Sequence, residues 1–399
     1  MSNKPTVLIV HNYYQIPGGE DTVVANEKKL LEENGHQVLL YTRSNDEIKS
    51  MGRLKKLLLP FLTIYNPRTA KDIRRIVKAQ HVDIVHVHNT LFFISPAVYY
   101  AAVKSGVPVV QTIHNFRLLC PGATFFRDGK ICEDCLTKGM GCAVRHACYR
   151  GSKAQTLMCV IAMRLHRMTG IYGRLRYIAL TEFNKSKLLQ LKQIRPENVF
   201  VKSNFVDGKG REGERAHFVY AGRLDSIKGI SVLIEAWKKL GSEAPHLIIC
   251  GTGPMEAWCA GQIKENHLNA EMKGFVANEE AKALIAGSKA LILPTMWYEG
   301  FPMTILEAYS SGTPVICSDL GNAGSVVEEG VTGWKFAPGS AEALAEAVKN
   351  WTDISGSVQR VYREKYTAQA NYESLESIYQ QVLADQGTKT GQRRISAEG

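Results

Sequence analysis

Short apolar runs alternate with longer amphipathic stretches along the first half of the chain. Apolar runs bounded by Gly, Pro, Asn and His are typical of buried strands in a parallel sheet. Strands are predicted at Thr6–Val10, Gln37–Tyr41, Val82–His88, Val107–His114 and Val199–Lys202. Helices are predicted at Thr22–Asn34, Pro96–Lys104 and Gly151–Gly170, and a basic helix is predicted to end near Ala79. Tyr177–Asn184 is predicted to be a strand that runs into a helix. This order predicts an α/β domain with helices on both faces of its sheet.

The same alternation returns in the second half. It predicts strands at His217–Arg223, His246–Cys250, Ala290–Leu293 and Val315–Asp319, and helices up to Leu240, at Pro302–Gly312, at Ala341–Asn350 and around Ala370–Leu383. Between the halves, Asn204–Arg215 carries Gly208, Gly210 and Gly213 among charged residues, as a linker does. We therefore predict two domains, residues 1–203 and 204–369, joined so that a cleft lies between them. Residues 386–399 are expected to be disordered.

Composition places the chain among globular proteins. It has 399 residues, of which 45% are hydrophobic and 22% are charged, so it is long enough for two cores. The sequence has no apolar run as long as a membrane span, and the N-terminus opens directly into a predicted strand without a signal peptide. We expect a cytoplasmic location.

The net charge of +11 is concentrated in two stretches of the first half. Residues 49–78 contain Asp72 as their single acid, and residues 139–177 contain no acid at all. Both stretches interleave basic with apolar residues, which suits the anionic surface of a bilayer. A solubilising basic face over an ordinary core helix explains the same pattern. Nucleic acid is not the expected partner, because no recognised binding motif is present.

A loop and helix within Pro294–Gly312 carry two acids, Glu299 and Glu307. Carboxylates accept hydrogen bonds from hydroxyl groups, so one can bind a sugar and the other a ribose. A phosphate would then lie at the start of the helix, where the backbone N–H groups are free. Two solvated glutamates beside an ordinary turn are the simpler interpretation of this spacing alone.

Two cations, Arg223 and Lys228, follow the strand that begins the second half. Fixed cations at a strand end and before a helix can neutralise a diphosphate while its bond to a sugar breaks. Gly251 and Gly253 follow the next strand, where backbone can approach a nucleotide closely. A basic pair or a single Gly-x-Gly is weak evidence without its surroundings.

In the first half, Gly18, Gly19 and Glu20 lie in a turn between a strand and a helix, an arrangement that can approach a phosphate. His86, His88 and His114 end two strands. A histidine at a strand end is more often a structural hydrogen-bond donor than a catalytic group.

Five of the nine cysteines lie between residues 120 and 148. Cys132 and Cys135 form a Cys-x2-Cys half-site, and Cys120 and Cys148 could complete a structural zinc site, with Cys142 to spare. The spacing is not a standard zinc pattern, and reduced thiols in an ordered loop remain the alternative. A cytoplasmic location argues against disulfides.

Several of these motifs together resemble one enzyme family. Glu299-Gly300-Phe301-Pro302 followed by Glu307-Ala308 closely resembles the Glu-x7-Glu signature of the retaining, two-domain glycosyltransferases of family 4. The runs Gly312–Ile316 and Glu329–Gly333 match as well, and Gly222–Gly229 is similar to the pyrophosphate-binding motif of that family. The resemblance covers nearly the whole chain.

The resemblance implies a GT-B fold, in which two Rossmann-like domains face each other across a cleft, with the acceptor bound by the first and the nucleotide-sugar donor by the second. The helix at residues 370–385 would cross back to the first domain, and residues 115–150 would be a Cys-rich insertion in it. The resemblance also assigns roles to residues. Those implied for catalysis are His114, Arg223, Lys228 and Glu299, and those implied for substrate binding are Gly18, Gly19, Glu20, Gly251, Gly253, Phe275, Val276, Gly300, Phe301, Pro302 and Glu307.

The expected reaction is sugar transfer with retention of the anomeric configuration. No Asp-x-Asp occurs in the sequence, which is consistent with Arg223 and Lys228 in place of a catalytic metal. The basic, apolar first half suggests a lipid-linked saccharide acceptor, as in polysaccharide synthesis, and a peripheral position at the inner face of the membrane. A nucleotide-sugar 2-epimerase of similar architecture and a non-catalytic protein that binds membrane surfaces are the alternatives.

Overall fold

A computed structural model describes residues 4–15, 18–208, 210 and 214–395, without the side chains of residues 53–57 and 387–395. In chain order its strands are β1 (Val7–Tyr13), β2 (Val38–Ser44), β3 (Ile84–Asn89), β4 (Val109–Ile113), β5 (Phe126–Arg127), β6 (Lys130–Ile131), β7 (Arg176–Ala179), β8 (Val199–Val201), β9 (His217–Ala221), β10 (Leu247–Cys250), β11 (Ala270–Gly274), β12 (Ser288–Leu293), β13 (Val315–Ser318) and β14 (Gly333–Phe336).

The helices of the first half are α1 (Gly19–Glu33), α2 (Glu47–Ser50), α3 (Arg53–Ile64), α4 (Pro67–Ala79), α5 (Ala97–Lys104), α6 (Asp134–Thr137), α7 (Gly141–Arg145), α8 (Lys153–Met168) and α9 (Glu182–Leu188). Those of the second half are α10 (Ile230–Leu240), α11 (Glu256–Glu265), α12 (Asn278–Ala286), α13 (Met303–Ser310), α14 (Gly321–Val326), α15 (Ala341–Lys349), α16 (Ser355–Lys365) and α17 (Ala368–Ile395).

The chain divides into two compact units, each with a six-stranded sheet. The first unit contains residues 1–123, 134–202 and 372–399, and the second contains residues 124–133 and 203–371. The boundary after Lys202 lies one residue from the predicted one. Residues 124–133, expected in the first domain as part of the insertion, group instead with the second unit. There Tyr298 donates a hydrogen bond of 3.0 Å to Glu133, and the rings of Phe125 and Tyr298 lie 6.3 Å apart.

All neighbouring strands of the first sheet are parallel, in the order β2-β1-β3-β4-β7-β8. The chain reverses its direction of winding between β1 and β3, because β2 lies on one side of β1 and all later strands lie on the other. The apolar residues of β1 and β3 are fully buried, as expected for strands covered by helices on both faces. Ligands of such sheets bind beside the carboxyl ends of the strands at the reversal.

The second sheet is also parallel and has the order β11-β10-β9-β12-β13-β14. This is the strand order of a dinucleotide-binding Rossmann fold, with its reversal between β9 and β12. The loops that follow these two strands carry Arg223 and Lys228 after β9, and Glu299 after β12. The fold thus brings the two predicted cations and the acid Glu299 to the same edge of the sheet.

Several predicted boundaries differ from the structure by a few residues, and two of the differences concern the site and the tail. The strand predicted to end at Arg223 ends at Ala221, which leaves Arg223 in the following loop. The last helix begins at Ala368, and its backbone continues to Ile395, through most of the tail expected to be disordered. Gly213 of the predicted linker and residues 396–399 lie outside the described residues.

Candidate active site

The loops after β9 and β12 approach each other at a glycine. Gly229 has a φ of +73°, and a Cβ at this position would lie 1.7 Å from the carbonyl oxygen of Pro294. Beside it, the Met296 N–H donates to the Ile227 carbonyl oxygen at 2.9 Å. Only glycine permits both this backbone conformation and this distance between the loops. The close approach places Lys228 directly opposite the loop of Glu299.

Lys228 and Glu299 form an ion pair. The Lys228 Nζ lies 2.8 Å from Oε1 of Glu299 and 2.9 Å from Oε2. Thr295 donates a further hydrogen bond of 3.0 Å to Oε1, and the Lys228 ammonium lies 5.6 Å from the centre of the Trp297 ring. Glu299 is buried and Lys228 is half-buried. A carboxylate held in this way by two donors has a fixed orientation.

Arg223 is held by a different acid. Its Nη2 lies 2.7 Å from Oδ2 of Asp225, and its side chain remains largely exposed. Asp225 also accepts a hydrogen bond of 3.3 Å from the Ile227 N–H, at the start of the turn that carries Lys228. The structure therefore fixes both predicted cations, but each one through its own carboxylate.

Gly251 and Gly253 lie in the loop after β10, against the backbone after β9. A Cβ on Gly251 would lie 1.9 Å from the Gly222 carbonyl oxygen, and one on Gly253 would lie 2.4 Å from that of Leu224. A surface pocket beside them is lined by Gly253, Pro254, Glu256, Ala257, Ala260, Met272, Lys273 and Gly274. Its walls include the glycines Gly253 and Gly274, where no side chain covers the backbone. Next to this pocket, the Phe275 side chain is exposed and Val276 packs against the core.

The segment from Gly300 to Pro302 leads from Glu299 into α13. The Asn322 amide donates to the carbonyl oxygens of Glu299 and Gly300, which fixes the backbone of this segment. Phe301 packs against the core and Pro302 is buried immediately before the first turn of α13. A proline at a helix start leaves no N–H unpaired there.

Glu307 lies in α13 and is half-buried. Burial raises the pKa of Glu307 above its usual value, and the nearby charge of Lys282 opposes this effect. Hydrogen bonds from hydroxyl donors stabilise the charged form of a desolvated carboxylate. This environment suits the predicted contact with a ribose.

In the first unit, Gly18 and Gly19 lie at the start of α1. The Gly18 N–H donates to Oδ2 of Asp21 at 2.9 Å. Glu20, in the first turn, is half-buried, and burial raises its pKa to about 7, although the Tyr14 hydroxyl and Arg117 act in the opposite direction. The structure therefore gives Glu20 a protonation equilibrium near neutral pH.

His114 follows β4 and lines a cavity beside the reversal of the first sheet. The cavity walls also include His88, Thr90, Gln111, Asn115, Arg117, Met163, His166 and Tyr172. Nε2 of His114 lies 3.0 Å from Nδ1 of His88, and burial holds the pKa of His114 well below its usual value. His114 is therefore neutral near pH 7.

Two charged residues of this region, Glu27 and Lys202, were not predicted. Oε2 of the buried Glu27 lies 3.2 Å from Nζ of Lys202, which is also buried. Glu27 lies four residues from Val23 and four from Leu31, so it occupies the apolar stripe of α1. An acid at a core-facing position was the signal that could have identified it.

Among the described residues, the groups of three or more potential metal ligands within 4.8 Å include no cysteine. The zinc site formed by Cys120, Cys132, Cys135 and Cys148 stays a prediction. Across the part of the chain that the structure describes, the single group of three potential ligands within 4.8 Å is Glu27, His86 and His88. The Lys202 ammonium already supplies a positive charge to Glu27, so this group does not suit a cation.

Comparison with solved structures supports the same class of fold. Anabaena Alr3699/HepE, solved in complex with UDP, superposes with a TM-score of 0.64 at 17% identity, over 94% of this chain and all of the other. Two parallel-sheet Rossmann-like units of this kind define the GT-B fold of glycosyltransferases.

Residues 17–209 match the family model "Glycosyltransferase Family 4", and residues 202–369 match "Glycosyl transferases group 1". The two matches together cover residues 17–369, and the chain belongs to glycosyltransferase family 4.

Curated relatives match over part of their length. A glycogen synthase from Mycobacterium tuberculosis is 30% identical over 189 residues, which are 45% of this chain and 45% of the relative. The putative colanic acid biosynthesis glycosyltransferase WcaL from Salmonella typhimurium is 29% identical over 176 residues, 41% of this chain and 43% of the relative. The chain thus spans about half the length of the curated relatives it matches.

Proposed function

We propose that this protein transfers a sugar from a nucleotide-sugar donor to a saccharide acceptor in polysaccharide biosynthesis, with retention of configuration at the anomeric carbon. The observation that carries the proposal is the Lys228–Glu299 ion pair at the reversal of the Rossmann sheet, with Arg223 on the same loop as Lys228. Its geometry supplies cations for a diphosphate and an acid for sugar hydroxyls within one unit.

The diphosphate of the donor binds against Lys228 and Arg223. When it arrives, its oxygens compete with Glu299 for the Lys228 ammonium, and the carboxylate becomes available to the hydroxyls of the sugar. As the bond between sugar and phosphate breaks, negative charge grows on the leaving phosphate, and the two cations stabilise it. Lys228 thus exchanges Glu299 for the phosphate oxygens, and Arg223 lies 2.7 Å from Asp225 on the same loop.

Glu307 accepts hydrogen bonds from the ribose of the nucleotide. Its raised pKa results from burial, and hydroxyl donors relieve this cost. The base lies beside the glycine-lined pocket and the backbone of Phe275 and Val276. HepE was solved with UDP, which motivates a uridine nucleotide as the first one to test.

In the proposed reaction, the acceptor hydroxyl approaches the anomeric carbon from the same face of the sugar from which the phosphate leaves. The motif places no carboxylate beneath the anomeric carbon that could act as a nucleophile. In this path the leaving phosphate takes the proton of the acceptor hydroxyl, so that no covalent intermediate with the enzyme forms.

The acceptor is a lipid-linked saccharide bound by the first unit. Helices α3 and α8 lie against each other there, and His166 of α8 contacts the Ile64 carbonyl oxygen of α3 at 3.0 Å. Large apolar side chains are exposed along one stripe of each helix region: Leu58, Phe61 and Tyr65, and Leu157, Ile161, Leu165 and Met168. We refer to these seven residues as the apolar stripes.

The surroundings of the apolar stripes are basic, since residues 139–177 contain no acid. Apolar side chains next to cations suit the headgroup region of an anionic bilayer. Among the described residues no helix has the length and hydropathy needed to cross a membrane. WcaL, a relative named for colanic acid biosynthesis, motivates a surface polysaccharide as the product.

A panel of UDP-, GDP-, ADP- and dTDP-sugars tests the donor. One of them should raise the melting temperature by mass action, and in the presence of a saccharide acceptor it should release the nucleoside diphosphate. NMR of the product should show the anomeric configuration of the donor. Consumption of donor without acceptor, and without release of nucleoside diphosphate, would indicate a 2-epimerase instead. Capture of a sugar–enzyme adduct would contradict the one-face path.

A further inference from the structure

A buried network of charged and ring groups lies behind His114 in the first unit. Glu27 and Lys202 are both buried, and around the Glu27 carboxylate lie Nζ of Lys202 at 3.2 Å, Nδ1 of His86 at 3.0 Å and Nε2 of His88 at 3.3 Å. His88 then contacts His114 through its other ring nitrogen. The network therefore connects the buried ion pair to a histidine that lines a cavity.

The Glu27 carboxylate is ionised. Burial alone would raise its pKa, but the charge of Lys202, followed by His86, overcomes burial and holds the pKa of Glu27 well below its usual value. An ionised carboxylate has no hydrogen to donate. The contact between Nε2 of His88 and Oε1 of Glu27 does not have hydrogen-bond geometry. A nitrogen lone pair at 3.3 Å from the carboxylate would nevertheless be repelled, so we infer that this nitrogen carries a hydrogen.

The ionised carboxylate of Glu27 determines which ring nitrogen of His88 carries the hydrogen. Burial lowers the pKa of His88 to about 4, with His86 acting in the same direction, so the ring is neutral and has one hydrogen. That hydrogen is on Nε2, which faces Glu27. Nδ1 of His88 is then an acceptor. His86 lies on the other side of the carboxylate: its Nδ1 is 3.0 Å from Oε1 of Glu27 and 2.7 Å from the Tyr379 hydroxyl, and its Nε2 is 2.8 Å from the Thr112 hydroxyl.

Because Nδ1 of His88 is an acceptor, it determines which ring nitrogen of His114 carries a hydrogen. Nδ1 of His88 and Nε2 of His114 lie 3.0 Å apart, and the two rings are stacked with an interplanar angle of 21°. Two nitrogen lone pairs that face each other at this distance would repel, so Nε2 of His114 carries a hydrogen and donates it to Nδ1 of His88. The ring of His114 keeps Nδ1 free of hydrogen.

We propose that Glu27 and His88 are positioning residues that hold His114 in the Nε2-protonated tautomer, so that its Nδ1 accepts a hydrogen bond from a hydroxyl group of the ligand. The assignment rests on the proposed function for the identity of that ligand, a sugar. The opposite tautomer would present an N–H, which suits carbonyl or phosphate oxygens instead. The network thus selects hydroxyl donors at this position.

Histidine NMR on the full-length chain labelled with 15N-histidine tests the tautomer directly. Long-range proton–nitrogen spectra distinguish a protonated from an unprotonated ring nitrogen, and the variant His114→Asn identifies the signals of His114. We expect an unprotonated Nδ1 and a protonated Nε2 for His114 in the wild-type chain. A hydrogen on Nδ1 would overturn the proposal, whatever the variants show.

The double variant Glu27→Gln/Lys202→Met tests whether the charge of Glu27 determines the tautomer of His114. It removes both charges together, so neither is left buried without its partner. The amide introduced at position 27 can donate to Nε2 of His88, and His88 is then free to carry its hydrogen on Nδ1. We expect the His114 signals to shift toward the Nδ1-protonated form. An unchanged tautomer in this folded variant would refute the role of Glu27.

Glu376→Gln is the matched control. This carboxylate also faces a buried histidine, with Oε2 of Glu376 3.0 Å from Nε2 of His36. The substitution should change the signals of His36 and leave those of His114 in place. If the signals of His114 move equally in the control, the effect is not specific to Glu27, and the assignment fails.

Kinetics add a second readout once a donor is found. The double variant should lower kcat roughly 10-fold, the size expected for one hydrogen bond, with a smaller change in KM. The NMR result does not depend on turnover, so the two proposals fail separately. A chain with the expected tautomer and no transfer activity contradicts the proposed function alone.

Discussion

The ammonium of Lys228 lies within 2.9 Å of both carboxylate oxygens of Glu299, although the two residues are 71 positions apart in the sequence. The sequence motifs assign each a separate partner in the donor, the diphosphate to Lys228 and the sugar to Glu299. The structure pairs the two side chains with each other. Under the proposed function, binding of a nucleotide sugar would exchange this ion pair for contacts of Lys228 with the diphosphate and of Glu299 with the sugar.

Replacing Lys228 by Met should abolish the site while retaining the fold. Glu299 would lose its cation while remaining buried, which we expect to cost about 1–3 kcal/mol of unfolding free energy. Loss of the cation at the leaving phosphate should lower the transfer rate about 100-fold. Thermal shifts with the identified donor and initial rates measure both effects.

Lys238→Met is the control for this change. Lys238 has a similar exposure and an ion pair of the same length, 2.8 Å to Glu235, but it lies on α10, where it also contacts Gln262 of α11. The variant Lys238→Met should leave the transfer rate unchanged. Equal losses in the two variants would indicate a general effect of removing lysine and would argue against a role for Lys228 in the site.

Gly229→Ala should separate the loops that carry Lys228 and Glu299. The Cβ would lie 1.7 Å from the Pro294 carbonyl oxygen, so we expect a loss of about 2–4 kcal/mol in urea unfolding and weaker donor binding. Gly330→Ala provides the comparison, since its φ of +68° is nearly the same as +73° but its Cβ would have open space. Backbone strain alone should cost about 1–2 kcal/mol there. The difference between the variants measures the contact with Pro294, and no difference would contradict the observed approach.

Glu20 should make stability depend on pH. Burial raises its pKa to about 7 in the folded chain, above the unfolded value of 4.5, so its contribution to stability is full below pH 4.5 and is lost as pH rises through 7. Glu20→Gln should therefore stabilise the protein at pH 8 by about 1–3 kcal/mol relative to wild type, and by much less at pH 5. Urea unfolding at both values measures this. The exposed Glu33, at the end of the same helix, provides the control Glu33→Gln, for which no such pH-dependent gain is expected.

The apolar stripes should bind anionic vesicles. Phe61→Ser/Met168→Ser removes the two most exposed side chains of the stripes and should reduce co-sedimentation with phosphatidylglycerol vesicles at least about fivefold. Binding of the wild type should also weaken as salt rises, because part of it is electrostatic. Trp258→Ser, on the exposed surface of α11 in the second unit, should bind as the wild type does. Absence of wild-type binding at low salt would count against a membrane-bound acceptor.

Removal of metal ions should leave the protein unchanged. Among the described residues no group of three potential metal ligands includes a cysteine. Under the proposed function, Arg223 and Lys228 supply the positive charge for the leaving phosphate. Incubation with EDTA should alter neither the melting temperature nor the transfer rate. A loss of either that zinc restores would show that the cysteines do bind a metal.

Much of the fold was predictable because it depends on local pattern. The strands His246–Cys250 and Val315–Asp319 were placed within one residue of β10 and β13, since apolar runs in a parallel sheet are nearly continuous. Pro302 and Gly312 marked the ends of α13 because one suits a first helical turn and the other adopts a φ of +72°. The last helix was predicted too short, since its final turns are polar and have no apolar stripe.

The sequence by itself determined most of the longer strands and helices, the glycine turns and the identity of the charged residues at the strand ends, because each depends on neighbours within a few positions. Tertiary structure alone decided which charges meet. The pairing of Glu27 with Lys202, 175 positions away, and of Lys228 with Glu299 follows from strand order and register. The grouping of Cys132 with the second unit likewise depends on the path of residues 124–133. Local patterns do not encode such contacts, because a side chain's partner across a sheet depends on which strands become neighbours.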